Sequence, residues 1–530
     1  MADLKKVVSD KILDEIVGRR NDGSSSRGKL QWKVLIVDDL TVRIVSSSLT
    51  MTHLASEGVS NVEHIQKYRG SNSSADAIFF VVPNKKNVEE ILHDIKKKNY
   101  RAFDIMFSET CPKPLLDSFM QKVSHPQLIK SCKEVYISFI PVEKQVYTMS
   151  MKSFLPPPSN ETNNGANEGL EIFAANLIDE MAEKLATLCC SIGGEPFFCF
   201  QNGCSYTSRF AQNVSGRLKS MESSEKGATS GGHGNQTQDS KLNRYPVLIL
   251  DRGFDLISCL FHDVYYQPLA YDILGGDKIE VDKQIYNHRD ESGAISPHQL
   301  DQTDSIWENL KHQHVADAFT NFGKMVKDEK VKEDKRKAEE GKTDMKKLKK
   351  DVQELTRDRK RRRELKVHGD ITENLNVKFE HKKIAGGEGE VGLCEVEEGL
   401  AAKSTWDRVV QMGGATIKEN FQKLLLDKEI DEADKIRLLG IYILSENANK
   451  EEIITTCIQQ AQNIKQTDIE LFKNLSNYKF SSDPEEGKEF LGVQLQHKIK
   501  RRSRARSDKV GTKWVPILKD LIGNDRTNFK

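Results

Sequence analysis

Four short, continuous apolar runs, Val34-Leu35-Ile36-Val37, Ala77 to Val82, Ala102 to Phe107 and Val135 to Ile140, are separated by stretches in which charged and apolar residues alternate at helical spacing. Runs of this length, apolar at consecutive positions, suit strands covered on both faces. Helical patterns lie between them, notably Asn87 to Lys98 and Pro114 to Val123. Strand and helix in alternation leave few arrangements open, and the order predicts a parallel sheet with helices on both sides. The runs end at Asp38 and Asp39, Pro83, Ser108 and Pro141, residues that stop strands by turn chemistry.

A second α/β segment follows Pro156-Pro157-Pro158 and an Asn/Gly-rich loop. In it Phe173, Leu177, Met181, Leu185 and Leu188 form a stripe at helical spacing that predicts core packing. The run Pro196 to Phe200, a helix around Phe210 and Val214, and the run Val247 to Leu250 complete the segment; a Ser/Gly/Gln-rich linker, Glu222 to Ser240, is too polar to pack. From about Asp255 onward helical patterns dominate. Residues 324–366 carry Lys, Arg, Glu and Asp with few apolar anchors and include the basic cluster Arg357 to Arg363. Ion pairs four residues apart suffice to keep such a tract in water, so it reads as a solvated helical hairpin or arm; acidic headgroups or an acidic helix bundle are the surfaces it would meet.

A chain of 530 residues is too long for one ordinary core. The expected division is a first α/β domain at 1–143, a middle α/β domain at 144–254 and 480–530, and a mainly helical third domain at 255–479 with the charged hairpin at about 320–370. The 80 basic residues balance 79 acids, so a net charge of +1 provides no global field to draw the chain onto nucleic acid or acidic lipid. The opening residues do not read as a secretory signal and no apolar run approaches a membrane span, which predicts a cytoplasmic chain.

Catalytic and metal signatures are missing. The nine cysteines lack paired zinc-site spacing, Cys199 and Cys204 being the nearest approach, and read as reduced thiols; no metal or cofactor is expected. The first strand run leads into Asp38-Asp39-Leu40-Thr41 instead of a glycine-rich turn, and Gly341-Lys342-Thr343 lacks the preceding glycine of a phosphate loop. The segment Asp251-Arg252-Gly253-Phe254-Asp255 reads as structural: Gly253 permits a tight turn while Arg252 and the carboxylates of Asp251 and Asp255 satisfy one another. These patterns argue against an enzyme.

Leu248 to Asp255, Tyr266-Gln267-Pro268-Leu269-Ala270-Tyr271-Asp272 and Trp307 to Val315 carry a resemblance that extends upstream and downstream. Upstream it includes Lys33 to Asp38, Glu57-Gly58-Val59, Val62-Glu63 and Ile137 to Tyr147; downstream, Asp434-Lys435-Ile436-Arg437 and Trp514 to Asp520. The sequence resembles the syntaxin-binding SM (Sec/Munc-type) proteins, especially the exocytic, plasma-membrane branch. The resemblance implies a three-domain arch, two parallel-sheet α/β domains with a mainly helical third, and a monomeric, non-catalytic regulator of vesicle docking and fusion. It implies that a syntaxin-type SNARE and SNARE complexes are held in a central cleft, with the membrane reached only peripherally through partners.

By matching positions, Asp38, Arg43, Glu63 and Lys67 would face the cleft. Leu116 and Ile129 would wall a pocket for the partner's N-terminal peptide, Glu134 supplying its charge, and Leu348, Val352 and Leu355 on the hairpin would meet a vesicle SNARE. Without the resemblance these read as ordinary surface charge and core packing. Departures from the family pattern are Leu116 where an aromatic is common, Thr50 for a basic residue, Thr356 for a proline, and a chain that stops at Lys530 where the family continues with a strand and helix. A truncated, partly inactive relative and a nucleotide-binding α/β protein are the alternatives.

Overall fold

The computed structural model describes residues 3–18, 32–151, 166–201, 205–228, 244–251, 255–289, 293–339, 348–386, 391–401, 416–445, 489–490 and 493–494. The chain divides into two compact units, Met1–Asp251 with Glu489–Gln494 and Arg252–Lys488 with Leu495–Lys530.

The first unit opens with helix α1 (Leu4–Lys11), then β1 (Lys33–Val37), α2 (Asp39–Ser48), α3 (Met51–Ser56), β2 (Val59–His64), β3 (Asn72–Val81), α4 (Lys85–Lys97), β4 (Tyr100–Phe107), α5 (Lys113–Lys122) and β5 (Ile129–Glu134). The five strands form one sheet in the order β2-β1-β3-β4-β5, and every pairing is parallel. Alternating side chains sort the strand residues into two layers. Val34, Ile36, Phe79, Phe103, Ile105 and Phe107 lie under α4 and α5, against Val88, Ile91, Ile95 and Phe119. Leu35, Val37, Ile78, Phe80 and Met106 lie under α1 and α2, against Val8, Ile44 and Val45.

The two outer strands depart from the sequence pattern. The run Val135–Ile140, apolar enough to be read as one strand, is instead a buried connection that runs out of β5 and enters a strand only at Ile140; Val135 N–H donates to Phe107 O (2.8 Å) and Ile137 N–H to Ser108 O (2.7 Å). The true edge strands, β2 and β5, are largely polar because each is paired on one side alone.

After the short pair β6 (Ile140–Pro141) and β7 (Tyr147–Thr148) come α6 (Ala166–Ile192), β8 (Glu195–Phe200), α7 (Ser205–Ala228) and β9 (Arg244–Ile249), with β8 and β9 parallel. The stripe read from the sequence buries Leu185 and Leu188, joined by Ile178 and Ala182, and these residues share one core with the α1 and α2 layer. Part of the segment read as a polar linker continues α7, which extends to Ala228.

In the second unit α8 (Tyr266–Leu274) precedes a small antiparallel sheet of β10 (Ile279–Glu280), β11 (Ile285–Arg289) and β12 (Ile295–Gln299), which helical dominance in the sequence had hidden. The remaining elements are α9 (Ser305–Leu310), α10 (Val315–Glu339), α11 (Leu348–His381), α12 (Leu393–Ala401), α13 (Ile417–Leu426) and α14 (Glu432–Leu444). Their core gathers around Trp307, stacked on Tyr271 with ring centroids 5.8 Å apart, and around Phe421 with Tyr442 at 5.3 Å. Among the described residues no helix is long and apolar enough to cross a membrane.

Candidate functional site

Strand order 2-1-3-4-5 reverses direction at β1, and in open α/β sheets the crevice beyond the carboxyl ends of the strands at that point is where ligands bind. Asp38 occupies it. Its Oδ1 accepts from Leu40 N–H (3.1 Å) and Thr41 N–H (2.9 Å), capping α2, and its Oδ2 accepts from Val82 N–H (2.7 Å) and Asn87 Nδ2 (2.8 Å). The Thr41 hydroxyl accepts from Asp38 N–H and donates to Phe80 O (2.6 Å), completing a capping box. The amides that would cradle a phosphate in a nucleotide-binding sheet are thus taken by the protein's own carboxylate. With 5% exposure, Asp38 is an internal brace of the end of the sheet that the cleft residues were expected to share.

The other three residues expected at the cleft reach the surface from different elements. Arg43, exposed on the second turn of α2, donates through Nη1 to Ser150 Oγ (2.6 Å). Glu63 pairs in register with Ile36 and so stands on the opposite, α4-covered face of the sheet. It accepts from Asn61 Nδ2 (2.9 Å) and, at 3.5 Å, from the Tyr100 hydroxyl, whose pKa is raised by burial and then by the Glu63 charge. Lys67 is exposed just past β2. A contact of 3.0 Å between His64 Nε2 and Asp39 Oδ1 ties the end of β2 to the start of α2, so Arg43 and Lys67 occupy one end of the sheet although their layers differ. Thr50 caps α3, accepting from His53 N–H (3.3 Å).

Leu116, Ile129 and Glu134 are brought to one face. Five residues apart, Ile129 and Glu134 would point to opposite sides of a regular strand. A bulge in β5 restores the match: Ile129 pairs with Phe103 and Glu134 with Phe107, both on the α5 side. Leu116 and Ile129 are half-buried against that layer. Glu134 Oε1 accepts from Cys111 N–H (2.8 Å) and Oε2 from the Tyr136 hydroxyl (2.6 Å), fixing the carboxylate at the rim. Burial pushes the Cys111 thiol up to about 11, with the Glu134 charge adding to it, so that sulfur stays neutral.

Asp255 holds the start of the second unit, Oδ1 accepting from Ser258 N–H (3.1 Å) and Oδ2 from its hydroxyl (2.6 Å), while Asp251 N–H donates to Gln201 Oε1 (3.2 Å). Arg252 and Gly253 lie outside the described residues. Leu348, Val352 and Leu355 fall on the first turns of α11, where only the backbone is described. From Glu364 the same helix buries Glu364, Val367, His368, Ile371 and Leu375, so the solvated tract ends there and becomes core.

Sequence reading missed the turn after β2. Arg69, its side chain 4% exposed, reaches back with Nε and Nη2 to Asp94 Oδ2 (3.2 and 2.8 Å) and with Nη1 to the carbonyls of His64 and Lys67 (3.2 Å each) and of Ile65. No local pattern announces a contact between residues 25 apart. Among the described residues no group of His, Cys, Asp and Glu is placed to hold a metal ion.

Residues 33–524 match the model of the Sec1 family. The protein transport protein sec1 of Dictyostelium discoideum is 25% identical over 98% of this chain and 81% of its own length. The SNARE-interacting protein KEULE of Arabidopsis thaliana is 25% identical over 82% of this chain, which spans 63% of that relative. The crystal structure of the Unc18-syntaxin 1 complex from Monosiga brevicollis superposes with a TM-score of 0.72 at 20% identity, covering 98% of this chain and 86% of the other.

Proposed function

The chain belongs to the Sec1 family, and on that premise we propose that it is a non-catalytic regulator of SNARE-mediated vesicle docking and fusion in exocytosis. Its partners in this reading are a syntaxin-type SNARE and assembling SNARE helices, and it works in the cytoplasm, at the plasma membrane only through them. The observation that carries the reading is the family match along 33–524, supported by a relative named for SNARE interaction and a structural neighbour solved with syntaxin 1. The crevice at the sheet's switch point, closed by the Asp38 carboxylate, weighs against the nucleotide-binding alternative.

Arg43, Glu63 and Lys67 would meet the syntaxin helices, and Leu116, Ile129 and Glu134 would take its extended N-terminal peptide beside the edge strand β5. An apolar anchor with one fixed charge at the rim is the pattern of a short-peptide site. Leu348, Val352 and Leu355 would engage the vesicle SNARE. The mechanism is templating: contacts spread over a wide surface hold partner helices in register and lower the ordering cost of nucleating a bundle. The three-domain division belongs to this proposal. Titrating the purified chain with a syntaxin cytoplasmic domain, with and without its N-terminal peptide, tests it. Saturable binding at micromolar concentration that weakens when the peptide is removed is expected; absence of saturable binding overturns the reading.

A further inference from the structure

The turn between β2 and β3 holds an aromatic ring almost wholly in water. Tyr68 is 98% exposed, the most exposed large hydrophobic side chain among the described residues. Scattered surface apolar groups are ordinary, but a ring held clear of its own protein on a braced turn is not. The bracing comes from both sides. Arg69 is turned inward onto Asp94 of α4, and its Nη1 gathers the carbonyls of His64, Ile65 and Lys67, so one guanidinium ties the residue after the tip to the backbone that leads up to it. Lys86 Nζ donates to Gln66 Oε1 (2.7 Å), tying the turn to the first turn of α4 as well, and Lys67 N–H donates to His64 O (3.1 Å). With Arg69 buried beside it, Tyr68 is left facing outward.

The surroundings define what would cover the ring. Lys67 is exposed next to it in the chain and Lys86, exposed, is held on the turn through Gln66, while the charge of Arg69 is already matched by Asp94, so the tip presents an aromatic face with two lysine charges that no carboxylate of the turn neutralises. An amphipathic helix offers the complement: an apolar groove between successive turns for the ring and carboxylates along its margin for the lysines. The geometry points to Tyr68 as a preorganised aromatic anchor that inserts between the helix turns of the syntaxin-type partner, with Arg69 as the positioning residue that keeps it extended. Rigid aromatic side chains lose little conformational freedom on docking, which is why such anchors dominate interfaces. This inference rests on the proposed function and deepens it by naming a contact that selects the partner.

Tyr68→Ala, Tyr68→Trp and Arg69→Lys, measured against a syntaxin cytoplasmic domain by titration calorimetry, test it. Tyr68→Ala is expected to weaken binding on the order of tenfold or more with an unchanged melting temperature, because the ring touches little of its own protein. Tyr68→Trp should retain binding. Arg69→Lys, which keeps charge but loses the planar fork, should weaken binding by less and speed amide exchange over residues 65–70. Wild-type binding that Tyr68→Ala leaves unchanged overturns this inference alone; no binding by the wild-type chain overturns it together with the proposed function.

Discussion

The first unit keeps charge at the ends and margins of an apolar sheet, whereas the second carries charge into its core. At the sheet the buried carboxylates sit at the strand ends, where Asp38 caps a helix and Asp76 meets Arg101 and Lys130 (2.7 and 2.6 Å), and the layers between strands and helices are aliphatic and aromatic. In the second unit Asp304 is 1% exposed; its Oδ1 caps α9 through Ile306 and Trp307 N–H (2.9 Å each), and its Oδ2 lies 2.6 Å from His298 Nε2 and 3.1 Å from His368 Nε2. His368 Nδ1 continues to the Tyr266 hydroxyl at 3.0 Å. A second buried chain runs from Glu397 through His262 to Asp434 and Lys382, with separations of 2.6, 3.3 and 2.7 Å. The contrast teaches that parallel strands align themselves by apolar layers and backbone ladders, while short helices at varied angles need directional contacts to fix their registry.

Removing one partner of such a network strands the others, so Asp304→Ala is the strongest way to break the comparison. Burial alone would raise the Asp304 pKa, yet the His298 and His368 hydrogen bonds hold it well below the usual carboxylate range, a sign that the fold depends on its charge. The substitution should cost about 3–5 kcal/mol, read as lost amide protection in α8, α9 and α11 while β1, β3 and β4 keep theirs. Equal loss in both units would show that the second does not depend on its buried ions in this way.

Alkaline pH tests the same contrast without a mutation. Burial opposes charge on His262, but hydrogen bonds to Asp434 and Glu397 raise its pKa to about 9 from an unfolded value of 6.5. A raised folded pKa contributes stability that is complete below the unfolded value and disappears as pH climbs through the folded one. The second unit should therefore lose about 3 kcal/mol between pH 6 and pH 10, and His262→Gln should flatten that slope. Asp434, held at about 2 by His262 and Lys382 despite burial, titrates at the opposite extreme and leaves this window untouched.

The central strands were legible because β1, β3 and β4 are buried on both faces and so are apolar at successive positions. The edge strands were not: β2 and β5 alternate with exposed polar residues, and the more apolar Val135–Ile140 competed successfully for the strand reading. In the second unit a helix whose buried stripe includes Glu364 and His368 looks solvated in sequence, since nothing local reveals that its polar groups are paired. The residues that carried the family resemblance prove to be structural joints: Asp272 accepts a two-pronged contact from Arg437 (2.7 and 2.8 Å), and Tyr266, Trp307 and Asp434 sit in the core and its networks. Of the site, Arg43 and Lys67 are on the surface as their residue types suggest, but the inward turn of Asp38 depends on Val82 and Asn87, more than forty positions away. Asp38→Ala should accordingly cost about 2 kcal/mol in thermal unfolding; partner affinity per folded molecule should stay near wild type, and a selective loss of affinity would show Asp38 to be a contact.

The smallest expected effect bears on the surface itself. Arg43→Glu and Glu63→Lys each reverse a charge at the margin of the sheet, where solvent screens it, so each should lower affinity for a syntaxin cytoplasmic domain by about threefold to tenfold, or roughly 1 kcal/mol. Both effects should act on the association rate and shrink at high salt, leaving unfolding unchanged. Because Arg43 projects from α2 and Glu63 from the opposite face of the sheet, bonded to Ser150 and to Asn61 and Tyr100 respectively, the two have no common partner among the described residues. Their losses should therefore add in the double variant. If reversing both charges instead recovers affinity, the two residues act as one paired site, and the layered separation that distinguishes them here does not survive contact with the partner.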